Sequence, residues 1–268
     1  MTHQGTIFRE LHISGDPFIL ANVWDKGSAK MLQSLGAKAL ATSSAAHAFT
    51  LGRVDGGTLT RDEALSHASD ILSVATVPVQ GDFENGFGDS PEDCAETVRL
   101  AAEIGLAGIC IEDTALPGDA PYDYDLAVAR IRAAASAARA LPQDFVLTAR
   151  ADGVMIGRYD TAAAIKRLQG FSAAGADCLY APMPPDMAAL GRICAAVDKP
   201  VNALVAGHFA GYTAAEFAAL GVARLSLGSA LARVTHRAIY DAATQMFGGG
   251  FSQLQNGIDA ATIDAMMA

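Results

Sequence analysis

Short runs dominated by Val, Ile, Leu and Ala alternate along the chain with longer Ala-rich stretches whose apolar residues recur at helical spacing. Runs without polar alternation suit strands buried on both faces, as in a parallel sheet covered by crossover helices. Eight runs fit: Phe18 to Val23, Ala37 to Thr42, Val77 to Asp82, Gly108 to Glu112, Phe145 to Arg150, Cys178 to Ala181, Pro200 to Val205 and Arg224 to Leu227. Each precedes a plausible helix. The spacing predicts one over Pro91 to Ile104, with Ser90 as N-cap and Asp93 in its first turn, and another over Thr161 to Ala174 after Asp160.

Eight βα units in 268 residues average about 33 residues each, so the pattern predicts an α/β protein with a single (β/α)8 TIM barrel spanning residues 1–268. A doubly wound open sheet is the competing architecture. It would carry a G-x-G-x-x-G turn after the first strand, whereas that strand ends Asn22, Val23, Trp24, Asp25. A C-terminal extension, about residues 248–268, holds a further amphipathic piece from Asp259 to Met267, expected to cap the barrel or pack on another subunit.

Composition narrows the function classes. The 29 acidic against 19 basic residues give a net charge of −10, which argues against a nucleic-acid partner. Hydrophobic residues make up 51% of the chain, enough for a sizeable core. No apolar run approaches the roughly 18 residues of a membrane span, and no basic segment opens the chain, so a soluble cytoplasmic protein is expected, with no membrane partner. Cys94, Cys110, Cys178 and Cys194 form no C-x-x-C pair and read as reduced thiols.

Barrel enzymes keep their chemistry at the C-terminal strand ends. Those ends supply Asp25, Ser43, Ser44, Asp82, Glu84, Glu112, Asp113, Arg150, Asp152 and Asn202, with Asp55 on the loop after the second strand. Asp82, Glu84 and Glu112 converging without a cation would repel one another, and bound Mg2+, or Mn2+, resolves that. Helix capping is the plainer role for any single acid, but G-D-F-E-N-G places Asp82 and Glu84 in a Gly-flanked turn too tight for it. Arg150 is either a structural ion pair or the partner of a substrate carboxylate.

The five lysines, Lys26, Lys30, Lys38, Lys166 and Lys199, leave none at the end of the sixth strand, which disfavours Schiff-base chemistry. His47 and His208 follow strands two and seven and read as packed or solvated loop histidines before acid–base groups. Gly207, Gly211 and Gly228-Ser229 read as tight turns before a phosphate site.

Five motifs in barrel order carry a resemblance: S-S-A-A-H-A from Ser43, G-R-V-D-G-G from Gly52, P-V-Q-G-D-F-E-N-G-F-G from Pro78, G-I-C-I-E-D from Gly108 and T-A-R-A-D from Thr148. The chain resembles the isocitrate lyase and phosphoenolpyruvate mutase superfamily over nearly its whole length. The resemblance implies a Mg2+-dependent enzyme that binds an α-oxycarboxylate and stabilises an enolate-like oxyanion. It implies Asp82 as principal metal ligand, Glu84 and Glu112 holding metal-bound waters, and Asp55 beside them. The Ser43, Ser44 and Ala45 backbone would grip the substrate, Trp24 would line the pocket and Arg150 would pair with the substrate. It also implies a tetramer that exchanges the last barrel helix between subunits; a dimer with that exchange is the smaller alternative.

The resemblance stops at the gate. Isocitrate and methylisocitrate lyases carry Lys-Arg-Cys-Gly-His after the fourth strand, where this chain reads T-A-L-P-G-D-A-P-Y-D-Y-D from Thr114 to Asp125. The Lys and Asn of the mutase gate are missing too, and A-P-M-P from Ala181 supplies no Glu or His at strand six. Tyr122 is the expected replacement acid, with Tyr124, Asp123 or His47 as alternatives. Tyrosines that only pack the loop are the plainer reading. The leading expectation is a lyase that breaks a carbon–carbon bond of a small α-keto or α-hydroxy acid by retro-aldol cleavage or decarboxylation. Carbon–phosphorus chemistry and a non-catalytic carboxylate-binding barrel are the competing readings.

Overall fold

The structure, a computed structural model, describes residues 3–268. Its strands are β1 (Phe18–Asn22), β2 (Ala39–Ala41), β3 (Val79–Asp82), β4 (Gly108–Glu112), β5 (Thr114–Ala115), β6 (Ala120–Pro121), β7 (Val146–Arg150), β8 (Cys178–Tyr180), β9 (Val201–Leu204) and β10 (Arg224–Ser226). Eight of them close a parallel barrel in the order β1-β10-β9-β8-β7-β4-β3-β2, while β5 and β6 form a small antiparallel hairpin outside it. The eight apolar runs are the eight barrel strands, most of them trimmed by a residue or two where the chain turns.

The helices are α1 (Gln4–Glu10), α2 (Lys26–Ser34), α3 (Ser44–Thr50), α4 (Arg61–Leu72), α5 (Pro91–Glu103), α6 (Tyr124–Ala140), α7 (Thr161–Ala174), α8 (Met187–Ala196), α9 (Ala214–Ala219), α10 (Ala230–Phe247) and α11 (Ala260–Met267). Their starts follow local chemistry. Ser90 and Asp93 close a capping box at α5 with Pro91 in its first turn, and Asp160 accepts from the Ala163 amide at α7. Asp25, expected among the mouth acids, instead caps α2 through the Ser28 amide at 2.6 Å.

Helix α1 lies at the N-terminal end of the barrel, where Phe8 is fully buried. His12 follows it, its Nδ1 against the Phe8 carbonyl at 2.8 Å and its Nε2 against Arg224 at 3.2 Å. A carbonyl only accepts and a guanidinium only donates, so the ring is neutral with its proton on Nδ1. Burial and the neighbouring Arg224 accordingly push His12 down to about 3.

One helix does not cover the barrel. Only Ala232 of α10 is buried, and Val234, Ile239, Tyr240 and Phe247 are more than 60% exposed. Correspondingly Ile19, on the strand that pairs with β10, is 55% exposed. The C-terminal piece returns to pack α11 beside α2, with Lys30 Nζ bonded to the Met267 carbonyl. Among the described residues no helix is long and apolar enough to cross a membrane.

Candidate active site

The residues that close the C-terminal end of the barrel start from β2 and β3. Ser43 caps α3 by accepting from the Ala46 amide, which points the start of that helix at β3. There the Ser44 amide and hydroxyl both donate to Asp82 Oδ2, each at 2.9 Å. Asp82 is itself anchored by its own amide, which donates to Thr42 Oγ1 at 2.8 Å.

Two residues on, Glu84 adopts φ 45° and Phe87 φ 60°, left-handed conformations that cost a non-glycine residue about 1–3 kcal/mol. A surrounding frame holds the turn in this shape. The Arg130 guanidinium donates to the Gly88 carbonyl at 2.7 Å and also to that of Asn85, and Thr97 Oγ1 donates to the Gly86 carbonyl at 2.7 Å. The Glu112 amide donates to the Glu84 carbonyl at 2.9 Å, and Glu84 Oε1 accepts from the Gly57 amide at 3.1 Å.

Ser43, Ser44, Asp82, Glu84 and Glu112 line a cavity of about 250 Å3 with Asp55, Asp119 and Asp152, and Arg150 lies among the acids. Its Nη1 is 3.2 Å from Glu112 and 3.9 Å from Asp82, and its Nε bonds Asp152. One guanidinium for this many carboxylates leaves negative charge in excess. Burial, then repulsion from Asp82 and Asp55, raises Glu84 to about 7. Burial, then Asp152, raises Glu112 well above its ordinary range. Burial, then Asp82, raises Asp55. Burial also lifts Asp152 to about 6.

The opposite wall is apolar. The β5–β6 hairpin contributes Leu116 and Gly118, and the loop after β7 contributes Met155 and Ile156. Arg158 joins the two, pairing with the Asp119 side chain and donating from Nε to the Asp119 carbonyl at 3.1 Å. At Gly57, φ +72°, an added Cβ would sit 2.7 Å from Pro117 Cα, so only glycine lets the hairpin lie this close.

Of the residues expected from sequence, the structure brings together Asp55, Ser43, Ser44, Ala45, Asp82, Glu84, Glu112 and Arg150. Tyr122, Asn202 and Trp24, expected in the same site, are placed elsewhere. The Tyr122 hydroxyl donates to Asp89 at 2.6 Å and accepts from Asn85 Nδ2 at 2.9 Å, beneath the Arg130 guanidinium at 4.1 Å. It therefore packs the base of the hairpin and does not line the cavity, which corrects the expectation of a Tyr122 acid. Burial, then the Asp89 bond, pushes its phenol up to about 12. Asn202 is fully buried inside the barrel, bonded to Ser226 and Arg224, because its side chain points below the mouth. Trp24 is also outside the lining; its carbonyl accepts from His67 Nε2 at 2.8 Å.

Asp113, just beyond β4, is taken by Arg167 at 3.0 Å and Tyr159 at 2.9 Å. His47 stacks on His67 at 3.8 Å, away from the cavity. Tyr180, Leu116, Asp119, Met155 and Ile156 line the cavity although strand-end reasoning does not single them out. For Tyr180 a signal exists, since it ends a barrel strand. The others come from the hairpin and loop, whose folding back over the mouth leaves no periodic trace.

A closed barrel with an acid-lined cavity at the C-terminal strand ends has its polar residues where enzymes of this fold place their active sites. Residues 8–247 match the phosphoenolpyruvate phosphomutase family model, and the chain belongs to that family, within the isocitrate lyase and phosphoenolpyruvate mutase superfamily. A Burkholderia cenocepacia protein, provisionally assigned as a lyase or mutase, superposes with a TM-score of 0.94 at 43% identity, covering 99% of this chain and 95% of that one. The 2-methylisocitrate lyase of Escherichia coli is 31% identical over 207 residues, 74% of this chain and 69% of that one. An oxaloacetate decarboxylase of Chromohalobacter salexigens is 29% identical over 243 residues, 87% of this chain and 82% of that one. The superfamily thus contains both lyases and mutases.

Proposed function

We propose that this protein is a Mg2+-dependent lyase that breaks a carbon–carbon bond of a small α-keto or α-hydroxy carboxylic acid, by decarboxylation or retro-aldol cleavage. The observation that carries the reading is the cavity in which Asp55, Asp82, Glu84, Glu112 and Asp152 share one guanidinium. Carboxyl groups raised by burial and mutual repulsion are the donor set of a hard divalent cation, which removes the strain of ionising them together.

Among the described residues no three acid, histidine or cysteine side chains converge tightly enough to clasp an ion unaided. Mg2+ suits such a set because it keeps several waters. Asp82, whose Oδ1 is not taken by Ser44, would hold it directly, with Glu84 and Glu112 one water away and Asp55 beside them. When bound, the ion supplies Lewis-acid stabilisation of negative charge on the substrate oxygen.

The chain's own residues do the rest. Ser44 holds Asp82 by two bonds, and the Ser43–Ala45 turn lines the cavity beside it. Arg150 orients the substrate carboxylate while screening Glu112. The Leu116, Met155 and Ile156 wall excludes water, which strengthens every charge interaction inside. The volume of about 250 Å3 favours a small acid.

The test is a screen of small keto and hydroxy acids for release of carbon dioxide or a 2-keto acid, with and without Mg2+. Mg2+-dependent release supports the reading. Inert acids, with phosphonopyruvate turned over in the phosphorus NMR spectrum, would move the chemistry to phosphorus; binding without any turnover would make the protein a carboxylate-binding barrel.

We further propose a homo-oligomer, a tetramer or a dimer, in which α10 of one subunit covers the outer wall of its neighbour. The exposed apolar residues of α10 and the exposed Ile19 support it, since one can cover the other between copies.

A further inference from the structure

Carbon–carbon cleavage leaves an enolate that needs a proton, so the assignment of a donor rests on the lyase reading. Few cavity side chains have a proton to give. Acids that hold a cation are ionised while they do so, and the two other cavity acids, Asp152 and Asp119, are paired with Arg150 and Arg158. The Ser44 hydroxyl is committed to Asp82. Ser43, Thr114 and Ser229 are aliphatic alcohols, far weaker acids than a phenol. Among the described residues no Cys, His or Lys lines the cavity. Tyr180 is left.

Tyr180 ends β8, in register with Arg150 on one side and Asn202 on the other. It is 7% exposed and lines both the substrate cavity and a smaller chamber of about 40 Å3 beneath it, inside the barrel. The Arg150 guanidinium lies 5.5 Å from its ring centroid. Ser226 lines the same chamber. Behind Ser226 runs a chain of bonds: Asn202 Nδ2 donates to Ser226 Oγ at 2.8 Å, and Arg224 Nε donates to Asn202 Oδ1 at 2.8 Å.

Arg224 is 1% exposed, and its partners are Asn202, Gln80, Thr148 and the neutral His12. No carboxylate among the described residues forms an ion pair with it. A guanidinium does not shed its charge in a protein, so the chain behind Tyr180 ends in a positive charge with no counter-ion beside it.

We propose that Tyr180 is the proton donor of the reaction, delivering its hydroxyl proton to the enolate carbon from the floor of the cavity. When the carbon–carbon bond breaks, its electron pair passes into the enolate. The enolate carbon then takes the Tyr180 proton to form a new C–H bond, and the O–H pair stays on the tyrosinate. That anion stands beside the Arg150 guanidinium, over the chamber that Arg224 also lines. Solvent water reprotonates it, and the chamber beneath, about 40 Å3, is large enough to hold water. Burial holds the phenol above its ordinary range, so the resting residue keeps its proton at neutral pH.

The test uses the full-length protein, Mg2+ and D2O, with pyruvate and 2-oxobutanoate as probes. Proton NMR should show the wild type exchanging the C3 hydrogens of at least one of them. Tyr180→Phe should lose that exchange by about 100-fold, the lower end for a positioned acid, while binding oxalate as the wild type does in calorimetry. In residual turnover that forms 2-oxobutanoate in D2O, the deuterium at C3 should be racemic in Tyr180→Phe and of one configuration in the wild type. Wild-type exchange rates in Tyr180→Phe overturn the proposal and leave the lyase reading standing, as does a variant that loses oxalate binding together with exchange. If the wild type neither exchanges these probes nor cleaves any acid in the screen, the reading fails and the proposal with it.

Discussion

Ser44 meets Asp82 twice, the backbone amide and the side-chain hydroxyl both ending on the same carboxylate oxygen at 2.9 Å. The pair locks one oxygen and leaves Oδ1 turned towards Arg150, so the direction in which Asp82 presents charge is set by the residue that opens α3. Ser44→Ala keeps the amide bond and removes the hydroxyl one. A hydrogen bond to a charged group contributes about 1.5–3 kcal/mol, so kcat/KM should fall about 10- to 100-fold in steady-state kinetics with the fold intact by circular dichroism. Asp82→Ala should abolish both turnover and Mg2+-dependent oxalate binding, and unchanged oxalate affinity would remove Asp82 from the cation site.

The acids make stability depend on pH in an unusual direction. Glu84 is raised from an ordinary 4.5 to about 7, so the folded, metal-free state binds a proton that the unfolded chain has already released. The stability associated with that proton is fully present below about 4.5 and is lost as pH rises through about 7. Differential scanning calorimetry without divalent ions should therefore show Tm falling across that interval. Glu84→Gln should flatten the fall, and Mg2+ should oppose it at the alkaline end. A metal-free Tm that rises from pH 5 to 8 in the wild type, with no change in Glu84→Gln, contradicts this account.

Gly57 couples the cavity to the hairpin above it. An alanine there faces both a left-handed φ and a contact of 2.7 Å with Pro117, while the Gly57 amide still has to reach Glu84. Strain of about 1–3 kcal/mol is expected, concentrated on closure, so KM should rise on the order of 10-fold with a smaller change in kcat.

Tyr122→Phe separates packing from chemistry. The lost hydroxyl bonds Asp89 and Asn85, so urea denaturation should report about 1–2 kcal/mol less stability, with kcat close to wild type. A kcat loss that exceeds the stability change in proportion would return Tyr122 to the reaction.

For the assembly, Ile239→Glu combined with Phe247→Glu places charge on the exposed face of α10. Sedimentation velocity should then show a smaller species than the wild type at the same concentration. An unchanged sedimentation coefficient would mean that this face is not an interface.

The barrel was legible in the sequence because strands covered on both faces must be apolar throughout, and strands such as Gly108–Glu112 print that requirement directly. The carboxylate half of the site was legible for a related reason: Asp82, Glu112 and Arg150 are the last residues of their strands. Strand ends alone misplace others. Asn202 sits mid-strand with its side chain in the barrel interior, and Trp24, two residues before α2, does not line the cavity. The apolar wall was invisible because Leu116, Met155 and Ile156 belong to segments of irregular backbone, and their reach over the cavity depends on tertiary contacts such as Arg158 with Asp119. Tyr122 misled because its place in sequence, on the gate, says nothing of the buried Arg130 that captures its ring.

The hairpin is joined to the barrel only two residues beyond Glu112, yet no barrel strand pairs with it. Substitution, shortening or lengthening between Ala115 and Ala120 is thereby uncoupled from the strand pairing that places Asp82 and Glu112, and meets the Glu84 frame only where Pro117 packs on Gly57. Chains with the same carboxylate frame and different hairpins should accordingly divide by substrate, and grafting a relative's hairpin onto this barrel is a route to changing what it accepts.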